Sequence, residues 1–125
     1  MKRYVIECWL LLLLFECVIR LRSFKILHAI VRKQRLLPMN SSNGPSSEML
    51  CRAVDFACVL YFKQVLCLQR SSATTLLLRR YGWDAEMVIG AQILPFQSHA
   101  WVEIKGAVVN DKPYVLDIYQ VLERC

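Results

Sequence analysis

The 125-residue chain lacks a long apolar run, a paired-cysteine motif and an excess of acidic residues, and each lack removes a class of protein. Its longest apolar stretch near the amino terminus, from Trp9 to Phe15, lies between Glu7 and Glu16. That is far short of the roughly 20 residues a membrane-spanning helix needs. Lys2 and Arg3 ahead of it imitate a secretory signal, but no small-residue cleavage site follows. The six cysteines, at 8, 17, 51, 58, 67 and 125, form no C-x-x-C pair, and no histidine stands at zinc spacing from them. A disulfide framework and a structural metal are therefore not expected, and a reducing cytoplasm is. No nucleic-acid-binding motif accompanies the positive charge, so nucleic acid is not expected as a partner.

What the chain does have is apolar content, 56% of residues with a mean hydropathy of +0.35, enough for one core and some surplus. We read residues 1–125 as one domain: a helical amino-terminal part (1–37), a polar linker loop rich in turn formers (38–47) and a core carrying the chemistry (48–125). The net charge is +6, and Lys2, Arg3, Arg20, Arg22, Lys25, Arg32, Lys33 and Arg35 crowd the first third. Such a cluster is either a solvated helix face or a peripheral contact with an anionic membrane or an acidic protein. Residues 4–35 predict one or two amphipathic helices with Leu10, Leu13, Leu14, Cys17, Val18 and Leu21 as the buried stripe. A surplus of apolar surface for a partner is expected.

Beyond the linker, Ser47, followed by Glu48, opens a helix that carries Cys51, Val54, Phe56, Ala57, Val59 and Leu60 towards Phe62. A second helix follows over 68–80, with Ala73, Leu76, Leu77 and Leu78 buried and Gly82 just past its end as a cap. After Gly82 the period changes: 85–94, 99–104 and 107–110 predict three antiparallel strands, with turns at Pro95 and at Lys105-Gly106. On the middle strand His99, Trp101 and Glu103 share one face, opposite Ala100, Val102 and Ile104. One face is expected to be core and the other a working surface.

Cys67 falls in the first turn of the second helix, where unpaired N–H groups and the helix dipole favour a thiolate and can hold an oxyanion. A buried small hydrophobe is the ordinary use of a cysteine, but Cys67 has company. His99 supplies a base and Asp111 a carboxylate to orient it, the three parts that nucleophilic catalysis by a thiol requires. For His99 and Asp111 to meet across the hairpin they must share a face. A two-residue turn at Lys105-Gly106 would pair Ala100 with Asp111, so a three-residue turn over 104–106, pairing Glu103 with Ala107, or an equivalent bulge, is expected. Gln64 is a conceivable second oxyanion donor but reads better as a surface residue. Trp101 reads as packing beside the site, Arg70 as a helix-surface residue, and His28 as a residue without a partner.

The blocks Cys67-Leu68-x-Arg70-Ser71, Leu76-Leu77-x-Arg79-Arg80-x-Gly82, Val88-Ile89-Gly90, Pro95-Phe96-x-x-His99-Ala100-Trp101-Val102-Glu103 and Val109-Asn110-Asp111, in this order, resemble the transglutaminase-like cysteine peptidases of lasso-peptide biosynthesis. The resemblance implies an α+β fold with a papain-like, transglutaminase-like core, amino-terminal helices preceding a small antiparallel sheet. It implies Cys67 as nucleophile, His99 as general base and acid, and Asp111 as the residue orienting His99, with no cofactor. It further implies removal of the leader from a ribosomally made precursor peptide. A separate leader-recognition protein and an ATP-dependent macrolactam (lasso) cyclase would be partners, since no leader-binding domain is recognisable in the sequence. Two rival uses of the same residues are a transglutaminase-type acyl transferase and a non-catalytic scaffold or membrane-surface protein.

Overall fold

The Leu-rich amino-terminal stretch forms α1 (Lys2–Leu21), followed by α2 (Phe24–Lys33), in a computed structural model that describes residues 2–21, 24–33, 46–93, 96–111 and 115–125. Then come α3 (Ser47–Leu60), α4 (Cys67–Arg80), β1 (Ala85–Gln92), β2 (Gln97–Ile104), β3 (Ala107–Val108), α5 (Val115–Ile118) and β4 (Gln120–Arg124). Most of the linker (38–45), the turn at Pro95 and the side chain of His28 lie outside the described residues. Among the described residues, no helix is long and apolar enough to cross a membrane.

α1 buries Cys8, Leu12, Phe15 and Glu16. This corrects the expected stripe: Leu10, Leu14 and Leu21 are 56%, 47% and 78% exposed, and Cys17 is exposed as well. α1 carries apolar side chains on nearly every face, so a 3.6-residue period fits more than one stripe and the neighbours make the choice. They choose partly by polarity. Glu16 enters the interior because the Tyr61 hydroxyl donates to it at 2.7 Å and Lys63 Nζ lies 2.7 Å away. Lys63 first, and Tyr61 second, hold the Glu16 carboxyl below its usual 4.5, while burial and the bond to Glu16 push the Tyr61 hydroxyl up to about 12.

α3 starts on the Ser46 cap, whose side chain accepts from the Met49 N–H at 3.1 Å. Its inward face is Leu50, Ala53, Val54 and Ala57, and the small alanines let α1 approach. Phe56, Val59 and Leu60 on the other side of the helix are exposed. Phe56 and Leu60 border an apolar groove with Lys2, Val5 and Ile6. Part of the surplus apolar surface expected from the composition thus lies along the outer sides of α1 and α3.

α4 is the most enclosed helix, buried continuously from Ser71 to Leu78. Its end follows the expected glycine cap: Gly82, at φ +90°, donates to Arg79 O and Trp83 N–H donates to Leu78 O, the paired bonds of a Schellman motif. Arg79 then spends its guanidinium on backbone carbonyls of Val31, Ala85 and Cys125, tying α2, the start of β1 and the carboxyl terminus to α4.

The sheet has four strands in the order β3-β2-β1-β4, one more than expected. β4 pairs antiparallel with β1 on the edge opposite β3, after a bulge between Ile89 and Gly90. One sheet face joins the helical core through Met87 and Val102. The other face is not simply a working surface, because Val115 of α5 and the following Tyr119 pack against it: Val88, Trp101 and Val115 form a second small core with Val108, Tyr119 and Val121. Glu86 and Glu103 sit directly opposite each other on β1 and β2, and Arg124 reaches both, at 3.7 and 2.7 Å. Without that cation two like charges would face each other across the ladder.

Candidate functional site

β2 presents His99 and the segment after β3 presents Asp111, and the two side chains meet: His99 Nε2 lies 2.5 Å from Asp111 Oδ2. Both are roughly a quarter exposed, 25% for His99 and 29% for Asp111, so the pair is partly shielded yet reachable. A carboxylate can only accept, so Nε2 carries the proton of this bond, and Nδ1 is the ring nitrogen that can act as a base. The imidazole is fixed in plane as well. It stacks on Tyr119, with centroids 5.2 Å apart and planes at 28°, and lies 6.1 Å from Trp101.

The hairpin achieves this contact by a route other than the expected one. The turn has two residues, Lys105 and Gly106, both in the left-handed region at φ +51° and +81°, and it pairs Ile104 with Ala107 and Glu103 with Val108. Two left-handed residues match the twist of the flanking strands, which is why the short turn wins. Continued regularly, that register would set Asp111 opposite Ala100. The ladder stops first. Val109 N–H still donates to Val102 O at 3.0 Å, but Val102 N–H donates to the Asn110 side-chain oxygen at 2.7 Å. Once a side chain has taken that place, the backbone leaves the pleat and Asp111 is no longer bound by strand alternation.

Cys67 is the first residue of α4 and is exposed. The N-cap position is Leu66, which offers no side-chain oxygen to the first turn, so among the described residues the early N–H groups of α4 have no side-chain cap from that position. No hydrogen bond joins Cys67 to His99 among the described residues. Their helix and strand are nevertheless tied together close by: Ser71, one turn after Cys67, donates to Ala100 O at 2.9 Å, next to His99.

The cysteines are not equivalent. Burial pushes the Cys8 thiol up to about 12 and the Cys51 thiol up to about 11, and raises Cys58 as well. Those three are protonated at neutral pH and poor nucleophiles. Among the other sequence candidates, Gln64 is exposed ahead of α4. Trp101 is fully buried and donates to Glu103 Oε2 at 2.8 Å, as packing beside the site requires. Arg70, expected to be an unengaged surface residue, pairs with Asp55 of α3. Tyr119 was invisible in the sequence, for it comes from a segment without strong periodicity. Asn110 was visible only as a neighbour of Asp111. Among the described residues, no cluster of His, Cys, Asp and Glu is arranged to hold a metal ion.

The family described as the transglutaminase-like superfamily matches residues 11–124. The Microcin J25-processing protein McjB of Escherichia coli is 43% identical over 56 residues, which make up 45% of this chain and 27% of that protein. The chain thus aligns with about a quarter of the length of that relative. No solved structure matches.

Proposed function

The chain belongs to the transglutaminase-like superfamily, and on that footing we propose that it is a cysteine peptidase that removes the leader from a lasso precursor peptide. The observation that carries this reading is the His99–Asp111 hydrogen bond, which engages Nε2 and leaves Nδ1 to serve a thiol. The partial identity to a microcin-processing protein supports the substrate class.

In this reading Cys67 gives its proton to His99 Nδ1, and the thiolate attacks the carbonyl carbon of the scissile leader bond. The uncapped N–H groups at the start of α4 receive the oxyanion. The imidazolium, held by Asp111, returns its proton to the departing amine as the C–N bond breaks. A water molecule, deprotonated by the same nitrogen, then hydrolyses the thioester and frees Cys67. A leader-recognition protein presents the precursor, and a macrolactam cyclase consumes the freed amine. The exposed apolar side of α1 and α3 supports association with partners of this kind.

The test is incubation of the chain with precursor peptide and leader-recognition protein, with products read by mass. Cleavage at one bond with addition of water is expected. Cys67→Ala, a change at an exposed position, lowers the rate by about 10³-fold or more with an unchanged circular-dichroism spectrum. Equal cleavage by the variant ends the cysteine-peptidase reading. A product whose mass shows an amine joined in place of water moves it to acyl transfer.

A further inference from the structure

The three residues of the proposed triad come from three separate pieces of chain, and one side chain touches all three pieces. Asn110 Oδ1 accepts from Val102 N–H of β2 at 2.7 Å, and Asn110 Nδ2 donates to Ser71 Oγ of α4 at 3.4 Å. Ser71 Oγ in turn donates to Ala100 O of β2 at 2.9 Å. The orientation of the carboxamide is fixed, because a backbone N–H can only donate and must therefore meet the oxygen. The amide nitrogen is left for the serine.

Each anchor of this chain of bonds borders a triad residue. Ser71 is four residues after Cys67, on the same side of the helix. Ala100 follows His99, and Asn110 precedes Asp111. Ser71 and Ala100 are buried, so water competes little for the bond between them, and the two Asn110 bonds are partly shielded. Asn110 also ends the β2–β3 ladder, which is what releases Asp111 to reach His99.

The geometry points to Asn110 as a positioning residue that sets the Cys67 helix, the His99 strand and the Asp111 segment in one frame, acting through Ser71. This inference rests on the proposed peptidase triad. Asn110 and Ser71 have no part in bond making; their effect is on how well Cys67 and His99 face each other. Small errors in such alignment lower rates steeply.

The experiment measures alkylation of Cys67 by iodoacetamide in the full chain from pH 5 to 9, peptide by peptide by mass spectrometry, with the exposed Cys17 as internal standard. In the wild type, Cys67 is expected to react faster than Cys17 at pH 6, and His99→Ala removes the advantage. Asn110→Ala and Ser71→Ala each lower the Cys67 rate at pH 6 by about tenfold, leave the Cys17 rate unchanged and keep a cooperative melt. The double variant is no slower than the worse single one, because both act through one linkage. Should Asn110→Ala fail to fold, Ser71→Ala carries the test alone, since it removes one buried hydroxyl. A wild-type Cys67 profile retained in Ser71→Ala and in any folded Asn110→Ala overturns the positioning role while the triad stands. A wild-type Cys67 that merely tracks Cys17, indifferent to His99→Ala, sinks the triad and the positioning role with it.

Discussion

The helical side of the molecule and the corner where α4, β2 and the segment after β3 meet are built from opposite materials. α1 and α3 meet through Cys8, Leu12, Phe15, Leu50, Ala53, Val54 and Ala57, with apolar side chains left over on the outside. The corner is held by Ser71, Asn110, His99 and Asp111 bonding to backbone and to each other. Apolar contacts are non-directional and tolerate small shifts, whereas hydrogen bonds fix distance and angle. The helical side therefore sets stability, and the corner sets geometry.

Substitutions sharpen or break this division. The largest expected effect is on activity at the corner: Asp111→Asn leaves folding intact but lowers the cleavage rate by about 10²-fold or more, because the carboxylate no longer fixes the His99 proton on Nε2. Single-turnover cleavage together with a melting curve checks it, and an unchanged rate would remove the corner's claim to be a site. Next, on the helical side, Leu12→Ala costs about 2–5 kcal/mol by emptying a fully buried position. Leu10→Ala, two residues away on the exposed side, stays within about 0.5 kcal/mol. Urea unfolding of the pair tests which side of α1 faces inward, and equal losses would contradict the packing described here.

A smaller loss is expected at Gly90, which pairs with His99 across the ladder. A methyl group there would lie 2.6 Å from Trp101 Cη2 and 3.0 Å from Tyr119 Cβ. Gly90→Ala should cost about 1–3 kcal/mol and displace the rings beside His99, lowering activity as well. Denaturant unfolding paired with the cleavage assay reads both, and loss of stability with full activity would separate the rings from the site.

The smallest effect concerns pH. Lys63 and Tyr61 hold the Glu16 carboxyl below its usual 4.5, so its contribution to stability is present above that value and is lost as pH falls through the lowered folded one. Glu16→Gln should flatten the fall in stability on the acid side, in melting curves taken from pH 6 to 3. A slope identical to the wild type would show that the Glu16 pairing adds nothing.

Much of the corner was legible because its signals are local. A cysteine at a helix start, a glycine just past the helix end and the alternation of residues 99–104 require no knowledge of distant neighbours, and the helix, its cap and the strand stand where those signals put them. The inward stripe of α1 was not legible in the same way. Leu10 and Leu12 are identical side chains, and only the position of α3 and α4 decides which one is covered. The three-residue turn failed for a related reason. Strand alternation forbids the His99–Asp111 contact in a two-residue hairpin, and the exception depends on Asn110 replacing a backbone acceptor, which pattern alone does not reveal. β4 escaped notice because a short edge strand with every second residue exposed resembles a loop in composition.

By itself, then, the sequence determined the kinds of element, the order of thiol, imidazole and carboxylate along the chain, and the presence of more apolar surface than one core absorbs. These follow from side-chain chemistry and from periods of two and 3.6 residues, which each segment carries independently. The tertiary structure decided which apolar side of each helix turned inward, that Arg124 would sit between Glu86 and Glu103, that Tyr119 would stack on His99, and that Asp111 would leave the ladder to meet it. Those outcomes depend on contacts between residues far apart in the chain, and such contacts acquire their energies only when the packed partners are in place.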